Sequence, residues 1–273
     1  MAKLSVCIEP FFTDKPYEER LRKIAALGFT AYEFWFHDKR FDGAALVPEM
    51  KDFSRLAELN EELGLTTTDF VFNHPDGGIC ASLIQRKDRS KLLDSIESMI
   101  EKAKIIGCTT FISGSGNKVA GLSREEAVDS MVEGLSALAP ILTRSGMRII
   151  LEPFNSRVDH PDYFLDSPWV GVEVLKSVGS PAVKLLYDIY HMQIMDGNVL
   201  SFVKKNLPYI GHFHVAGVPG RKEPVPSELD YPFILKEIDR MGYAGYFGLE
   251  YWPSGDPAQS LAGTRRALLG KDG

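Results

Sequence analysis

Short β-rich runs alternate with longer helical patterns along the whole chain, and glycine ends one helix after another just before the next strand. Glycine is the residue best suited to the left-handed conformation that follows a helix C-terminus. The glycines at these points are Gly28, Gly64, Gly107, Gly146, Gly179 and Gly242. Because strands that alternate with helices are joined by crossovers, this pattern predicts a parallel sheet.

The alternation gives eight strand–helix units. The predicted strands span residues 4–9, 31–36, 65–72, 108–113, 147–152, 183–188, 210–215 and 245–251. The predicted helices span residues 17–27, 48–64, 88–106, 123–145, 167–178, 201–206, 231–241 and 258–269. Eight units in 273 residues predict an α/β fold with a single domain over residues 1–273, a closed (β/α)8 or TIM barrel. A doubly wound open sheet is the main alternative, but no G-x-G-x-x-G motif follows the first strand.

Composition and charge narrow the class of partner. The chain carries 31 Lys and Arg against 37 Asp and Glu, a formal net charge of -6, and it has no cluster of basic residues. This balance favours neither nucleic acid nor an anionic membrane surface as a partner. The N-terminus lacks the basic and apolar regions of a signal peptide, and no run approaches the roughly 20 apolar residues of a membrane span, so a cytoplasmic location is expected. Three widely spaced cysteines argue against a disulfide framework.

Polar side chains end four consecutive predicted strands. Glu152, Asp188, His214 and Glu250 lie at or near the C-terminal ends of strands five to eight. In a barrel of parallel strands the active site lies at this end, because all the strands deliver their C-termini to the same rim. We therefore expect the four side chains to converge on one place.

Successive side chains of a strand point to opposite faces, so their spacing predicts which residues share the barrel interior with these four. If Asp188 points into the barrel, Leu186 does too, and Tyr187 points towards the helices. If His214 points inwards, His212 lies one layer deeper. Three carboxylates and one imidazole at one rim repel one another unless a cation neutralises them. Oxygen ligands with one nitrogen suit Mg²⁺ or Mn²⁺, with Co²⁺ as a further candidate.

Several segments resemble one known family. They are "ILEPFN" (150–155), "LLYDIYHMQIMDGN" (185–198), "IGHFHVAGVPGRKEP" (210–224), "YFGLEYWP" (246–253) and "FFTDKPYEERLRKIAALGFTAYEFWF" (11–36). Together they resemble the hydroxypyruvate isomerases of the xylose isomerase-like barrels, to which the tagatose and psicose 3-epimerases are related. The resemblance is collinear over most of the chain.

The resemblance implies a role for each candidate site residue. Glu152, Asp188, His214 and Glu250 would be the metal ligands, and the two glutamates would also form the acid/base pair. His191 and Arg221 would contact substrate oxygens. We add two further candidate substrate contacts from the regions of strands two and three, Glu33 and His74. The resemblance also implies a homodimer or homotetramer.

The reaction expected from these residues is proton transfer next to a carbonyl. A divalent ion held by the site would stabilise the enediolate as a Lewis acid, while a carboxylate moves the proton between adjacent carbons. The conversion of hydroxypyruvate to tartronate semialdehyde, or isomerisation of a related oxo acid, is the leading prediction. A ketose 3-epimerase is the main alternative, because hydroxypyruvate isomerases often carry glutamine where this chain has His214, whereas ketose epimerases carry histidine.

Two other functions are weighed against these. An endonuclease IV-like phosphodiesterase needs more histidines, and strand four ends at Ser113 where a histidine is wanted. A non-catalytic barrel subunit is disfavoured because all four predicted ligands are present. Two segments depart from the pattern typical of hydroxypyruvate isomerases, residues 158–162 and 225–228. They leave the predicted barrel and metal site intact.

Overall fold

Eleven strands are present in the computed structural model, which describes residues 2–270. The strands are β1 (Lys3–Cys7), β2 (Ala31–Phe34), β3 (Lys39–Phe41), β4 (Leu46–Pro48), β5 (Thr66–His74), β6 (Gly77–Gly78), β7 (Thr110–Gly114), β8 (Arg148–Glu152), β9 (Val183–Asp188), β10 (Ile210–Val215) and β11 (Tyr246–Leu249).

Nine α-helices accompany these strands within residues 2–270. They are α1 (Tyr17–Ala26), α2 (Phe53–Leu63), α3 (Arg89–Ile105), α4 (Arg124–Ser145), α5 (Pro168–Val178), α6 (Ile189–Met195), α7 (Val199–Asn206), α8 (Tyr231–Arg240) and α9 (Pro257–Leu269). Short 3-10 turns span Arg86–Asp88 and Leu207–Tyr209. None of the helices in this range is long and apolar enough to cross a membrane.

Eight of the strands close into a parallel barrel. Their order around it is β2, β1, β11, β10, β9, β8, β7 and β5, and pairing of β2 with β5 completes the ring. Every neighbouring pair in this ring is parallel. The predicted (β/α)8 barrel is therefore confirmed, and the open doubly wound sheet is excluded.

The side-chain alternation predicted for the strands is also confirmed. Leu186 and Ile150 belong to a small apolar cluster inside the barrel, together with Phe36, Val71 and Ile112. Tyr187 belongs to the larger core between strands and helices. Because Leu186 faces inwards, Asp188 two residues later faces the same interior at its open end.

The chain departs from the predicted elements in two places. Helix α2 begins at Phe53 instead of near residue 48, because Asp52 caps it through a hydrogen bond from the Arg55 N–H, and the preceding residues form the β3–β4 hairpin. Helix α6 was not predicted, and it starts directly after Asp188. Ser123 caps α4 through a capping box with Glu126.

A buried arginine ties the first strand–helix connection together. Arg20 is fully buried on α1, and it donates hydrogen bonds to the carbonyl oxygens of Lys15 (3.0 Å), Thr13 (2.9 Å) and Phe41 (3.0 Å). Its guanidinium also lies 3.8 Å from the buried carboxylate of Glu9. One side chain thus satisfies loop carbonyls and a carboxylate that have little access to water.

Replacing this arginine should be costly. We expect Arg20→Met to lower the free energy of unfolding by about 3–5 kcal/mol, because three carbonyl oxygens lose a donor and the buried Glu9 carboxylate loses one of its two cationic neighbours, keeping Lys51 at 3.4 Å. Arg22→Met on the same helix should change the free energy of unfolding little, because the Arg22–Glu62 ion pair is exposed to solvent. Urea unfolding of both variants checks this, and equal losses would contradict it.

Candidate metal centre

Four polar side chains meet at the C-terminal rim of the barrel, as the sequence predicts. Glu152 and Asp188 are the last residues of β8 and β9, His214 lies in β10, and Glu250 directly follows β11. All four are buried, and each offers one ligand atom within 4.8 Å of the others. Parallel pairing places His214 beside Asp188, which brings these strand ends together.

His214 stands at the centre of the group. Its Nδ1 lies 3.5 Å from Glu152 Oε1 and 3.1 Å from Glu250 Oε2. Within the described residues, neither His214 Nδ1 nor Glu152 Oε1 has a hydrogen-bond partner, although both atoms are buried. Buried polar atoms normally have partners, so these two lie where a ligand would be bound.

Asp188 has a second role as the cap of helix α6. Its Oδ1 accepts hydrogen bonds from the backbone N–H groups of Tyr190 (2.8 Å) and His191 (3.4 Å). Its Oδ2 faces the site, 3.4 Å from His191 Nε2 and 3.3 Å from Arg221 Nη2. The helix start therefore fixes the carboxylate and leaves one oxygen for the cluster.

The two glutamates differ in their proton affinity. Burial raises the pKa of Glu152 to about 7, outweighing the opposite effect of His214. Burial also raises the pKa of Glu250, but the nearby Arg221 and His214 outweigh it and hold this pKa well below its usual range. Glu250 Oε1 also accepts a 2.6 Å hydrogen bond from Trp35 Nε1. The two carboxylates therefore favour different protonation states in the same site.

The donor set fits a divalent cation. Three carboxylates and one imidazole offer hard oxygen ligands with one nitrogen, which is the set that Mg²⁺, Mn²⁺ and Co²⁺ accept. The unpartnered Glu152 Oε1 and His214 Nδ1 belong to this set. Glu152, Asp188, His214 and Glu250 are therefore the residues that would hold such an ion.

A cavity of about 180 Å³ opens next to these ligands. Its lining residues are Trp35, Phe36, Leu46, Val71, His74, Asp76, Ile112, Glu152, Phe154, His160, Arg221, Glu250 and Trp252. Seven apolar side chains supply most of the surface of the wall, and six polar or charged side chains lie among them. This is the usual composition of a small-molecule site.

Arg221 reaches the cluster from the loop between β10 and α8. Its Nη2 lies 2.5 Å from Glu250 Oε2 and 3.3 Å from Asp188 Oδ2. Its Nε is buried and has no hydrogen-bond partner among residues 2–270. The guanidinium also lines the cavity, and its contact with a substrate stays a prediction.

The two predicted histidine contacts occupy different positions. His74 lines the cavity, and its Nδ1 accepts a 3.2 Å hydrogen bond from the Asp76 N–H. His191 is fully buried, and its Nδ1 accepts from the Asn155 backbone N–H at 3.3 Å. The proton of His191 then lies on Nε2, which faces Asp188. Direct contact between either histidine and a substrate stays a prediction.

Glu33, the remaining predicted contact, lies one layer deeper than the cavity. Its carboxylate is buried and lies near His212 and His214. Two residues that sequence reasoning missed are Asn155, which orients His191, and His160, which lines the cavity. Both follow β8 in a loop, where no periodicity shows which way a side chain points.

The family described as xylose isomerase-like TIM barrel matches residues 21–269 by its sequence pattern. A Danio rerio protein provisionally named hydroxypyruvate isomerase is 32% identical, over 100% of this chain and 99% of its own length. A 2-oxo-tetronate isomerase of Cupriavidus necator is 30% identical, over 99% and 100% of the two chains.

Among solved structures, a Brucella melitensis protein described as an AP endonuclease of family 2 is 28% identical, with a TM-score of 0.85. The alignment covers 96% of this chain and 97% of that one. The sequence matches and this structural match together confirm the family resemblance drawn from the sequence segments.

A divalent ion should stabilise the folded chain through this cluster. An ion at about 100 times its dissociation constant adds about 2.7 kcal/mol to the free energy of unfolding, so Mn²⁺ should raise the melting temperature of chelator-treated protein. Asp188→Asn should lose most of this rise, although its amide oxygen can still cap α6. Asp196→Asn, at the other end of α6, should keep it. Thermal unfolding with and without Mn²⁺ checks this, and a full rise in Asp188→Asn would contradict the ligand assignment.

Proposed function

The chain belongs to the xylose isomerase-like TIM barrel family, and on this premise we propose that it is a divalent-metal-dependent isomerase of small 2-oxo acids. Relatives named isomerases support an enzyme of this class. The observation that carries the proposal is the pair of buried carboxylates, Glu152 and Glu250, which lie 3.5 and 3.1 Å from His214 Nδ1. Both carboxylates also line the cavity.

The proposed reaction converts hydroxypyruvate to tartronate semialdehyde. A proton leaves the hydroxymethyl carbon, the electron pair forms an enediolate, and a proton is returned to the former carbonyl carbon. The hydroxyl proton moves to the other oxygen, so atoms and charge balance. In this proposal Glu152 and Glu250 form the acid/base pair that removes and returns the carbon-bound proton.

The divalent ion, when bound, supplies Lewis-acid stabilisation of the negative charge that develops on the substrate oxygens. Glu152, Asp188, His214 and Glu250 would hold it, with Mn²⁺ or Mg²⁺ as the first ions to test and Co²⁺ next. The apolar wall of the cavity, including Trp252, limits the access of water to the reacting carbons.

Arg221 supports a substrate that carries a carboxylate. Its guanidinium lines the cavity, and its buried Nε still lacks a partner. Arginine binds carboxylates through paired hydrogen bonds. The cavity, about 180 Å³, is smaller than the roughly 300–1,000 Å³ of sites for drug-sized ligands. A substrate of three or four carbons, hydroxypyruvate or a 2-oxo-tetronate, fits both observations.

A ketose 3-epimerase is the second candidate. The observation that favours it is His214, since ketose epimerases carry histidine at the position where hydroxypyruvate isomerases often carry glutamine. Turnover of ribulose or psicose, without turnover of either oxo acid, would decide for the epimerase.

A phosphodiesterase is less well supported, even though a solved relative is described as an AP endonuclease. Strand β7 ends in Ser113 and Gly114, which offer no imidazole to a further metal ion. The net charge of -6 also gives no general attraction to a phosphate backbone.

Removing either catalytic carboxylate should abolish most turnover. We expect Glu152→Gln and Glu250→Gln each to lower kcat for hydroxypyruvate by about 10²–10⁴-fold, because an amide cannot exchange the proton. Glu9→Gln, an equally buried carboxylate after β1, is the matched control and should keep its activity. A coupled assay with Mn²⁺ measures this, and turnover that survives in both site variants would refute the acid/base assignment.

Arg221→Lys should raise KM for oxo acids more than KM for ketoses. Lysine keeps the positive charge beside Glu250 but loses the planar pair of donors. We therefore expect KM for hydroxypyruvate and 2-oxo-tetronate to rise, while KM for any ketose that is turned over changes less. Steady-state kinetics with hydroxypyruvate, 2-oxo-tetronate, ribulose and psicose measures these KM values. An equal rise for all of them would contradict a carboxylate contact.

A further inference from the structure

A second group of buried polar side chains lies inside the barrel, one layer deeper than the rim cluster. It consists of Glu33 on β2, Asp69 on β5, and His212 and His214 on β10, all of them buried. Only His214 belongs to both groups. The four rim ligands by themselves do not explain why a closed barrel interior holds three further ionisable side chains.

The contacts connect this deeper group to the rim through His214. The Nε2 atom of His214 lies 2.9 Å from Glu33 Oε1. The other carboxylate oxygen, Glu33 Oε2, lies 3.0 Å from His212 Nε2 and 3.4 Å from the Thr68 hydroxyl, which donates to it. Asp69 Oδ2 follows at 3.7 Å from His212 Nε2. Glu33 is thus held on one side and offers its free oxygen to His214 on the other.

The barrel makes room for this contact at Gly248. A Cβ atom at this position would lie 2.3 Å from Glu33 Oε1 and 2.7 Å from His214 Cδ2. Such distances are far shorter than van der Waals contact, so no larger residue fits without moving both partners. The glycine therefore lets the carboxylate of one strand reach the imidazole of another across β11.

We propose that Glu33 is a positioning residue that holds His214 with its proton on Nε2 and its Nδ1 directed at the rim cluster. This inference rests on the proposed function, because it concerns the imidazole that would bind the divalent ion. His212 and Asp69 anchor Glu33 from below. In this proposal Glu33 does not contact the substrate. The positioning role replaces the substrate contact that its position in the sequence suggested.

The chemistry of imidazole supports this assignment. A neutral imidazole that binds a cation through Nδ1 carries its proton on Nε2, and a carboxylate acceptor there fixes both the tautomer and the ring orientation. Glu33 Oε1 and His214 Nε2 are each buried and have no other hydrogen-bond partner in the part of the chain that the structure describes. The 2.9 Å contact is short, but it is not yet aligned as a hydrogen bond. Alignment of this bond is therefore what the proposal predicts for the ion-loaded chain.

The rival explanation is a second ion in the deeper group. Glu33, Asp69, His212 and His214 also offer ligand atoms within 4.8 Å of one another. However, Glu33 Oε2 already pairs with His212 at 3.0 Å, and the group lies behind the rim ligands instead of in the cavity. The two explanations differ in the number of ions bound, which a titration measures directly.

The experiment compares the full chain with two variants by isothermal titration of chelator-treated protein with Mn²⁺. We expect one ion per chain in all three proteins. Glu33→Gln should raise the dissociation constant about 10–100-fold, the usual effect of removing the carboxylate behind a metal-binding histidine. Glu9→Gln, the same change at another buried carboxylate of the barrel, should bind as the unmodified chain does. The visible spectrum of bound Co²⁺ should change in Glu33→Gln and stay the same in Glu9→Gln.

Each contrary outcome points to a different error. Equal Mn²⁺ affinity in Glu33→Gln and the unmodified chain would overturn the positioning role while leaving the proposed function intact. Two ions in the unmodified chain, with one lost in Glu33→Gln, would make Glu33 a ligand instead. If the unmodified chain binds no divalent ion, the proposed function fails first.

Gly248→Ala covers the case in which Glu33→Gln does not fold. Its methyl group presses on both partners of the Glu33–His214 contact and leaves their chemical identity unchanged. We expect the same direction of change, weaker Mn²⁺ binding and an altered Co²⁺ spectrum. Unchanged binding in a folded Gly248→Ala variant would overturn the proposal.

Discussion

The rest of the site depends on the His214 imidazole, because both of its ring nitrogens face carboxylates. Its Nδ1 faces Glu152 and Glu250 at the rim, and its Nε2 faces Glu33 inside the barrel. An imidazole has only these two nitrogens, so its surroundings determine which one carries the proton. Closure of the barrel excludes water from both sides, and the carboxylates around the ring must therefore be neutralised by neighbouring groups. Arg221 supplies part of that charge at the rim.

Much of the fold could be predicted because strong local signals mark its elements. Gly146, for example, ends α4 in a left-handed conformation with φ of 72°, and β8 follows directly. The β3–β4 hairpin could not be predicted, because three-residue strands are too short to show a periodicity. Helix α6 was missed because its apolar sequence continues that of β9, and only the capping of its first turn by Asp188 separates the two.

The rim cluster could be predicted for a different reason. Parallel strands deliver their ends to one rim, and the two-residue period selects the inward side chains, so Glu152 and Asp188 converge without any knowledge of distances. The role of Glu33 could not be predicted, because it depends on a contact with β10 made across β11 through the space at Gly248. No local pattern along β2 records which side chain of a distant strand lies opposite. Asn155 was missed likewise, since its contact with His191 joins the loop after β8 to helix α6.

We propose that one divalent ion binds between Glu152, Asp188, His214 and Glu250, on the Nδ1 side of the imidazole. The measurement that tests this most directly is an anomalous difference map from crystals of the full chain grown with Mn²⁺. We expect a single peak among these four side chains, with His214 Nε2 hydrogen-bonded to Glu33. A peak among Glu33, Asp69 and His212, or the absence of any peak at the rim, would contradict it.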